Sequence, residues 1–180
     1  AFCANCDGPL FKDQVVAVIG GGFSALREVS LLDKFAKKIL IVNEQDQLKA
    51  NKLFTNYAKN PKVQVYNQTE LVSITGDGQK VTGITVRNKK TNQVNALPVD
   101  GVFIALGQTP NSAVFKTQLH LNAKGEVVVD GQTLATNVPG IFAAGDVTDK
   151  AGHQILLANA AGYQAAMQAE NYLKKLKIIT

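Results

Sequence analysis

An α/β protein built on a parallel sheet is predicted by three observations in the 180 residues. The stretch "QVVAVIGGGFSALREVSLLDKFAKKILIVNE" reads as strand, glycine turn, helix, strand. Gly20, Gly22 and Ala25 form G-x-G-x-x-A where the first strand should become the helix, and the second strand ends at Asn43-Glu44, roughly 20 residues on. Farther along, "VDGVFIALGQTPN" supplies another buried strand that ends in a glycine, Gly107, and a proline loop. Together these mark a Rossmann-like dinucleotide-binding domain.

Taken in order, Val15 to Ile19 is an apolar run suited to a strand covered on both faces. Gly20 permits the tight turn after it, Gly22 lets backbone approach a pyrophosphate, and Ala25 lets helix and strand pack closely. N–H groups at the helix start then face the phosphates, and Glu44 stands where this motif places an acidic group for the adenine ribose. A helix is expected around "LKANKLFTNYAKN", closed by Pro61. Short strands follow near "VQVY", "ELVSITG", "KVTGITVRN" and "QVNALPV", with Gly76-Asp77-Gly78 as a turn. They resemble the β-hairpin excursion, a third layer, inside many dinucleotide domains. After the proline loop, which marks a domain boundary near residue 108, "GEVVVDGQTLATNVPGIFAAGDV" gives two more strands with polar turns, and Gln154 to Leu176 a long amphipathic helix rich in Ala.

Composition narrows the function classes. A hydrophobic fraction of 46% with 18% charged residues is that of a globular protein. The formal charge of +5 comes from scattered lysines, with small clusters at Lys37-Lys38, Lys89-Lys90 and Lys174-Lys175-Lys177. Solvated faces explain these better than nucleic acid, which calls for aromatics interleaved with a dense basic stripe. No apolar run approaches the roughly 18 residues of a membrane span, and the start lacks the order of a signal peptide. A cytoplasmic protein with no membrane partner is therefore expected. The first residue is Ala, which points to a piece of something longer.

Cys3 and Cys6, in "AFCANCDGPLFK", are the two cysteines of the chain. A structural zinc site needs about four ligands, and His120 and His153 lie far away without metal spacing, so no metal is expected. A redox dithiol, a structural disulfide and inert thiols all remain open. A C-x-x-C beside a βαβ pattern favours dithiol chemistry, because the short loop lets one thiol close on the other and lowers the attacking thiol's pKa.

"CANCDGPLFK", "VAVIGGGFSA", "FIALGQTPN", "TNVPGIFAAGDV" and "HQILLANAAGYQAAMQAENYL" occur in the order and spacing of the thioredoxin reductase family. The whole chain resembles this group of pyridine nucleotide-disulfide oxidoreductases, which includes the flavoprotein subunit of alkyl hydroperoxide reductase. "CDGPLFK" is most similar to the latter.

The resemblance implies electron flow from NAD(P)H to FAD, then to the cysteine pair, then to thioredoxin or a thioredoxin-like or peroxiredoxin partner. Cys6 would face the flavin, Cys3 would exchange with the partner, and Asp7 would manage thiol protons; the plainer alternative for Asp7 is a turn with Gly8. Asp146 would bind the ribityl chain, with Gly145 allowing close backbone approach. Gln154 would begin a helix whose positive end stabilises the reduced flavin, and His153 departs from the arginine common beside it. Relatives using NADPH place two arginines just after the second strand. Glu44 and Gln45 stand there, with Lys49 at the remaining basic position, so NADH is the expected choice.

On the same basis residues 1–108 would be the NAD(P)-binding domain with its C-x-x-C, and 109–180 the C-terminal portion of an FAD-binding domain. A first glycine fingerprint for the ADP half of FAD is not among these residues, so the chain alone is expected to be colourless and inactive, and the full-length protein a homodimer. Rival expectations are a direct thioredoxin reductase, an alkyl hydroperoxide reductase flavoprotein, a non-catalytic nicotinamide-binding module and a ferredoxin-NADP reductase. The last normally lacks the cysteine pair, and a sensing module would not need it.

Overall fold

A computed structural model describes residues 1–49 and 59–178. It divides into two compact units, Ala1–Gly107 and Gln108–Thr180, each treated by itself below. The helix expected around "LKANKLFTNYAKN" falls, over 50–58, outside the described residues.

In the first unit β1 (Val15–Ile19) pairs in parallel with β2 (Lys38–Val42) on one side and with Gly101–Ile104 on the other. Between them in sequence come β3 (Val63–Tyr66), β4 (Thr69–Gly76), β5 (Val81–Asn88) and β6 (Val94–Pro98), so Gly101–Ile104 is β7. The parallel sheet has the order β3-β2-β1-β7, and β4-β5-β6 form a separate antiparallel sheet. Two-fold strand periodicity sends alternate side chains to opposite faces, and both faces are covered. Val16, Val18, Ile39, Ile41 and Phe103 join the core of α2 (Phe23–Leu32) through Ala25, Leu26, Val29 and Leu32. Ala17, Ile19, Leu40, Val42 and Val102 face Ile84, Val86 and Val99 on the side of the antiparallel sheet. The result is three layers, helix, parallel sheet and antiparallel sheet, as the sequence predicts.

The cysteine segment lies on the helix side. Cys3 is the N-cap of the short α1 (Ala4–Asp7), which runs on into a 3-10 turn, Gly8–Phe11. Ala4 is fully buried in the first core, and its N–H donates to the Glu28 carboxylate of α2. Phe11 meets Phe103 edge to face at 5.2 Å between ring centroids. Its ring occupies the space over Gly101, where an added Cβ would collide with it.

The second unit differs from expectation in one respect. The two strands expected in "GEVVVDGQTLATNVPGIFAAGDV" are isolated bridges instead, Leu121 with Val127, Val127 with Thr148 and Ala135 with Phe142. The run Val127–Val129 is bracketed by tight turns: Asn122 accepts from the N–H groups of Lys124 and Glu126, and Asp130 from those of Gln132 and Thr133. Such side chains offer the backbone an alternative to a ladder. The N–H of Thr133 foremost holds the Asp130 carboxyl below its ordinary range. Leu119, Val127, Val129 and Leu134 form the core.

Against that core packs α3 (Ile155–Lys175), through Ala161 and Ala165, with Tyr172 edge-on to Phe142. The small residues make the contact because they let helix and core approach closely. The bulky Ile155, Leu156 and Tyr163 remain exposed.

The seat of Phe11 is testable. Gly101→Ala should lower unfolding free energy by about 1–3 kcal/mol through overpacking. An unchanged urea midpoint would show that Phe11 does not hold the cysteine segment to β7.

Candidate functional site

At the C-terminal ends of β1, β2 and β7 the first unit opens a cavity of about 530 Å³. Its floor is the glycine turn. Gly20 has φ +130, and a Cβ there would collide with the Ala105 carbonyl and stand 3.5 Å from the Ala25 Cβ. Glycine is therefore required by conformation and by space, and Ala25, fully buried, fits beneath it. Gly22 is the N-cap of α2, makes no side-chain cap and faces open space. Gly22, Phe23 and Ser24 all line the cavity, so the positive end of the helix dipole borders it.

The middle glycine carries a constraint the motif does not announce. A Cβ on Gly21 would collide with the Asn43 side chain. Asn43 is buried, 1% exposed, and fully engaged: its Nδ2 donates to the Gln45 carbonyl at 3.1 Å and to Asn67 Oδ1 at 2.9 Å, while its Oδ1 accepts from Gln45 N–H at 3.2 Å. Its main chain bridges Tyr66 and Thr69. This one amide thus shapes the loop that presents Glu44, Gln45 and Lys49 to the cavity, and Lys49 N–H closes the loop onto the Gly21 carbonyl at 2.8 Å. The sequence names Asn43 only as the end of a strand; the signal for more was an amide after four buried apolar residues. Glu44 pairs with Lys89, Nζ to Oε2 3.1 Å, across from the turn after β5.

Of the residues singled out from sequence, Gly20, Gly22, Glu44, Gln45, Lys49 and Gly107 line this one cavity. Cys3, Cys6 and Asp7 lie on the α1 segment of the same unit. Cys3 and Cys6 form a disulfide with Cα atoms 5.3 Å apart, and Cys3 Sγ accepts from Cys6 N–H at 3.1 Å. Cys6 is exposed; Cys3 and Asp7 are half-buried. Asp7 N–H donates to the Cys3 carbonyl at 2.9 Å.

Gly145, Asp146, His153 and Gln154 belong to the second unit. Gly145 has φ +78 and opens a 3-10 turn, Gly145–Val147. Asp146 Oδ1 lies 3.9 Å from His153 Nδ1, both half-exposed, and Gln154 is the N-cap of α3. Nearby, the Lys150 ammonium bonded to Asp149 holds that carboxyl below the usual range. Among the described residues no group of three or more His, Cys, Asp or Glu could hold a metal, and no helix is long and apolar enough to cross a membrane.

Residues 2–165 match the model of the family described as pyridine nucleotide-disulphide oxidoreductase. The chain is 42% identical to a thioredoxin reductase of Streptomyces coelicolor over 177 residues, covering 98% of this chain and 55% of that protein. It is 39% identical to one from Rickettsia prowazekii, covering 96% and 57%. A solved thioredoxin reductase from Streptococcus pyogenes superposes with a TM-score of 0.87 at 37% identity, over 97% of this chain and 57% of that one. The chain thus spans little more than half the length of the curated relatives it matches.

Asn43→Ala should cost about 1–3 kcal/mol, since it removes three hydrogen bonds that the buried Asn43 amide makes to Gln45 and Asn67. Amide exchange at Gln45 should accelerate in step. Native protection there would show that the loop holds its shape without the amide.

Proposed function

The chain belongs to the pyridine nucleotide-disulphide oxidoreductase family, and from that premise we propose that it supplies the nicotinamide-binding and dithiol parts of a thioredoxin reductase-like flavoprotein. One observation carries this: a C-x-x-C disulfide and a glycine-floored cavity share one compact unit, Ala1–Gly107. Neither feature alone separates a reductase from a nucleotide-binding module. Together they give one unit a place for a hydride donor and a group that can accept two electrons.

The cavity fits a nicotinamide dinucleotide by its donor set. Gly22 and the first turn of α2 would receive the pyrophosphate, and Glu44 would accept hydrogen bonds from the adenine ribose. In the second unit, the Asp146 carboxylate and the positive end of the 21-residue α3 suit the ribityl chain and pyrimidine edge of FAD. Bound FAD would supply the two-electron relay from nicotinamide to disulfide.

The Cys3–Cys6 disulfide takes up two electrons and two protons to give two thiols. Asp7, half-buried beside Cys6, would accept and return a thiol proton. The Cys3 thiolate would then attack a partner disulfide, releasing one partner sulfur as thiolate. Cys6 would close on Cys3, re-forming the disulfide and expelling the second partner sulfur. The acceptor would be thioredoxin or a thioredoxin-like or peroxiredoxin protein, and the complete enzyme a cytoplasmic homodimer.

Two experiments test this. Equilibration in thiol redox buffers followed by alkylation should show Cys3 and Cys6 interconverting at roughly −180 to −320 mV, the span of cellular poises. A pair that stays oxidised throughout would be a structural staple, and the dithiol role would fall. In nucleotide titrations, NADH should bind more tightly than NADPH by roughly threefold to tenfold, because Glu44 stands where a 2′-phosphate would lie. Tighter binding of NADPH would refute that preference.

A further inference from the structure

Glu44, which lines the cavity, is paired with a charge from outside its lining that the glycine motif and its acidic residue do not account for. Lys89 Nζ lies 3.1 Å from Glu44 Oε2, an ion pair joining the antiparallel layer to the loop after β2. The main chain that carries Lys89 is held in place. Its N–H donates to the Gln68 carbonyl at 2.7 Å, and Gln68 N–H in turn donates to the Gln45 carbonyl at 3.0 Å. The turn that carries Lys89 is itself fixed by Asn88, whose side chain accepts from the N–H groups of Lys90 and Thr91. A chain of main-chain bonds therefore sets Lys89 beside the residue next to Gln45, and Glu44 lines the cavity.

Resting on the nucleotide-binding role proposed above, we propose that Lys89 is a specificity-determining residue for the adenine ribose. Its ammonium offsets the charge with which Glu44 repels a 2′-phosphate. A bare carboxylate would exclude the 2′-phosphorylated nucleotide more strongly than this pair does. Lys89 thus keeps the discrimination modest, with a cation within reach of a phosphate that displaces the carboxylate. Lys49, the lysine that does line the cavity, is exposed on the loop and has its N–H on the Gly21 carbonyl.

The test titrates wild type, K89Q, K89R and E44Q with NADH and with NADPH, following nicotinamide fluorescence at low ionic strength and again at about 0.5 M salt, where the screening length is only a few ångströms. K89Q should widen the preference for NADH by roughly twofold to fivefold, the range of an exposed ion pair. K89R should restore the wild-type ratio, and E44Q should narrow it. High salt should shrink the K89Q effect, which a packing change would not do. The Lys89 N–H remains in every variant, so the turn stays tied to Gln68. An unchanged ratio in K89Q, with both nucleotides bound, overturns the role of Lys89 and leaves the nucleotide site standing. Failure of folded wild type to bind either nucleotide overturns both.

Discussion

The double-sided burial of β1 is the constraint on which the first unit depends. Val16 and Val18 must be covered by α2, and Ala17 and Ile19 by the side of the antiparallel sheet, while both edges are taken by β2 and β7. A strand so enclosed has no exposed backbone until it ends. It ends at Gly20, where the chain must turn sharply under the Ala105 carbonyl to reach α2. The cavity is the space left as three parallel strands stop together and the chain diverges into a helix on one side and loops on the other. Its position follows from the sheet order; its chemistry follows from the loops.

That division explains what could be read in advance. Continuous apolar runs such as "VVAVI" and "ILIV" identify strands because nothing else buries on both faces, and the glycine spacing fixes the turn between them. The antiparallel layer was legible from turn residues such as Gly76-Asp77-Gly78. What escaped was set by contacts between residues distant in sequence. Gly21 is dictated by Asn43 across the turn, and Asn43 by Asn67 some 24 residues on. The Glu44–Lys89 pair spans 45 residues, and no local pattern announces it.

The second unit shows the opposite failure, in which a local pattern overstates. "GEVVVDG" has strand composition, but a ladder needs several consecutive partners, and the asparagine and aspartate turns on either side allow Val127 only single bridges. By contrast, the long amphipathic, Ala-rich helix expected over Gln154 to Leu176 is present as α3. Its alanines Ala161 and Ala165 make the contact, since core and helix meet closely where side chains are small.

The first unit also joins its two sites through one rigid element. Gly22, Phe23 and Ser24 at the start of α2 border the cavity, and Glu28, about one turn and 6 Å farther along the axis, receives the Ala4 N–H that anchors the cysteine helix. A ten-residue helix packed by Ala25, Leu26, Val29 and Leu32 into a fully buried core cannot bend between those points. The disulfide is therefore referenced to the same body that holds the glycine turn, through the Glu28 contact and through Ala1, which bonds Val102 and Ile104 of β7. The burial of Ala4 in the core and the ring contact of Phe11 with Phe103 add to these bonds.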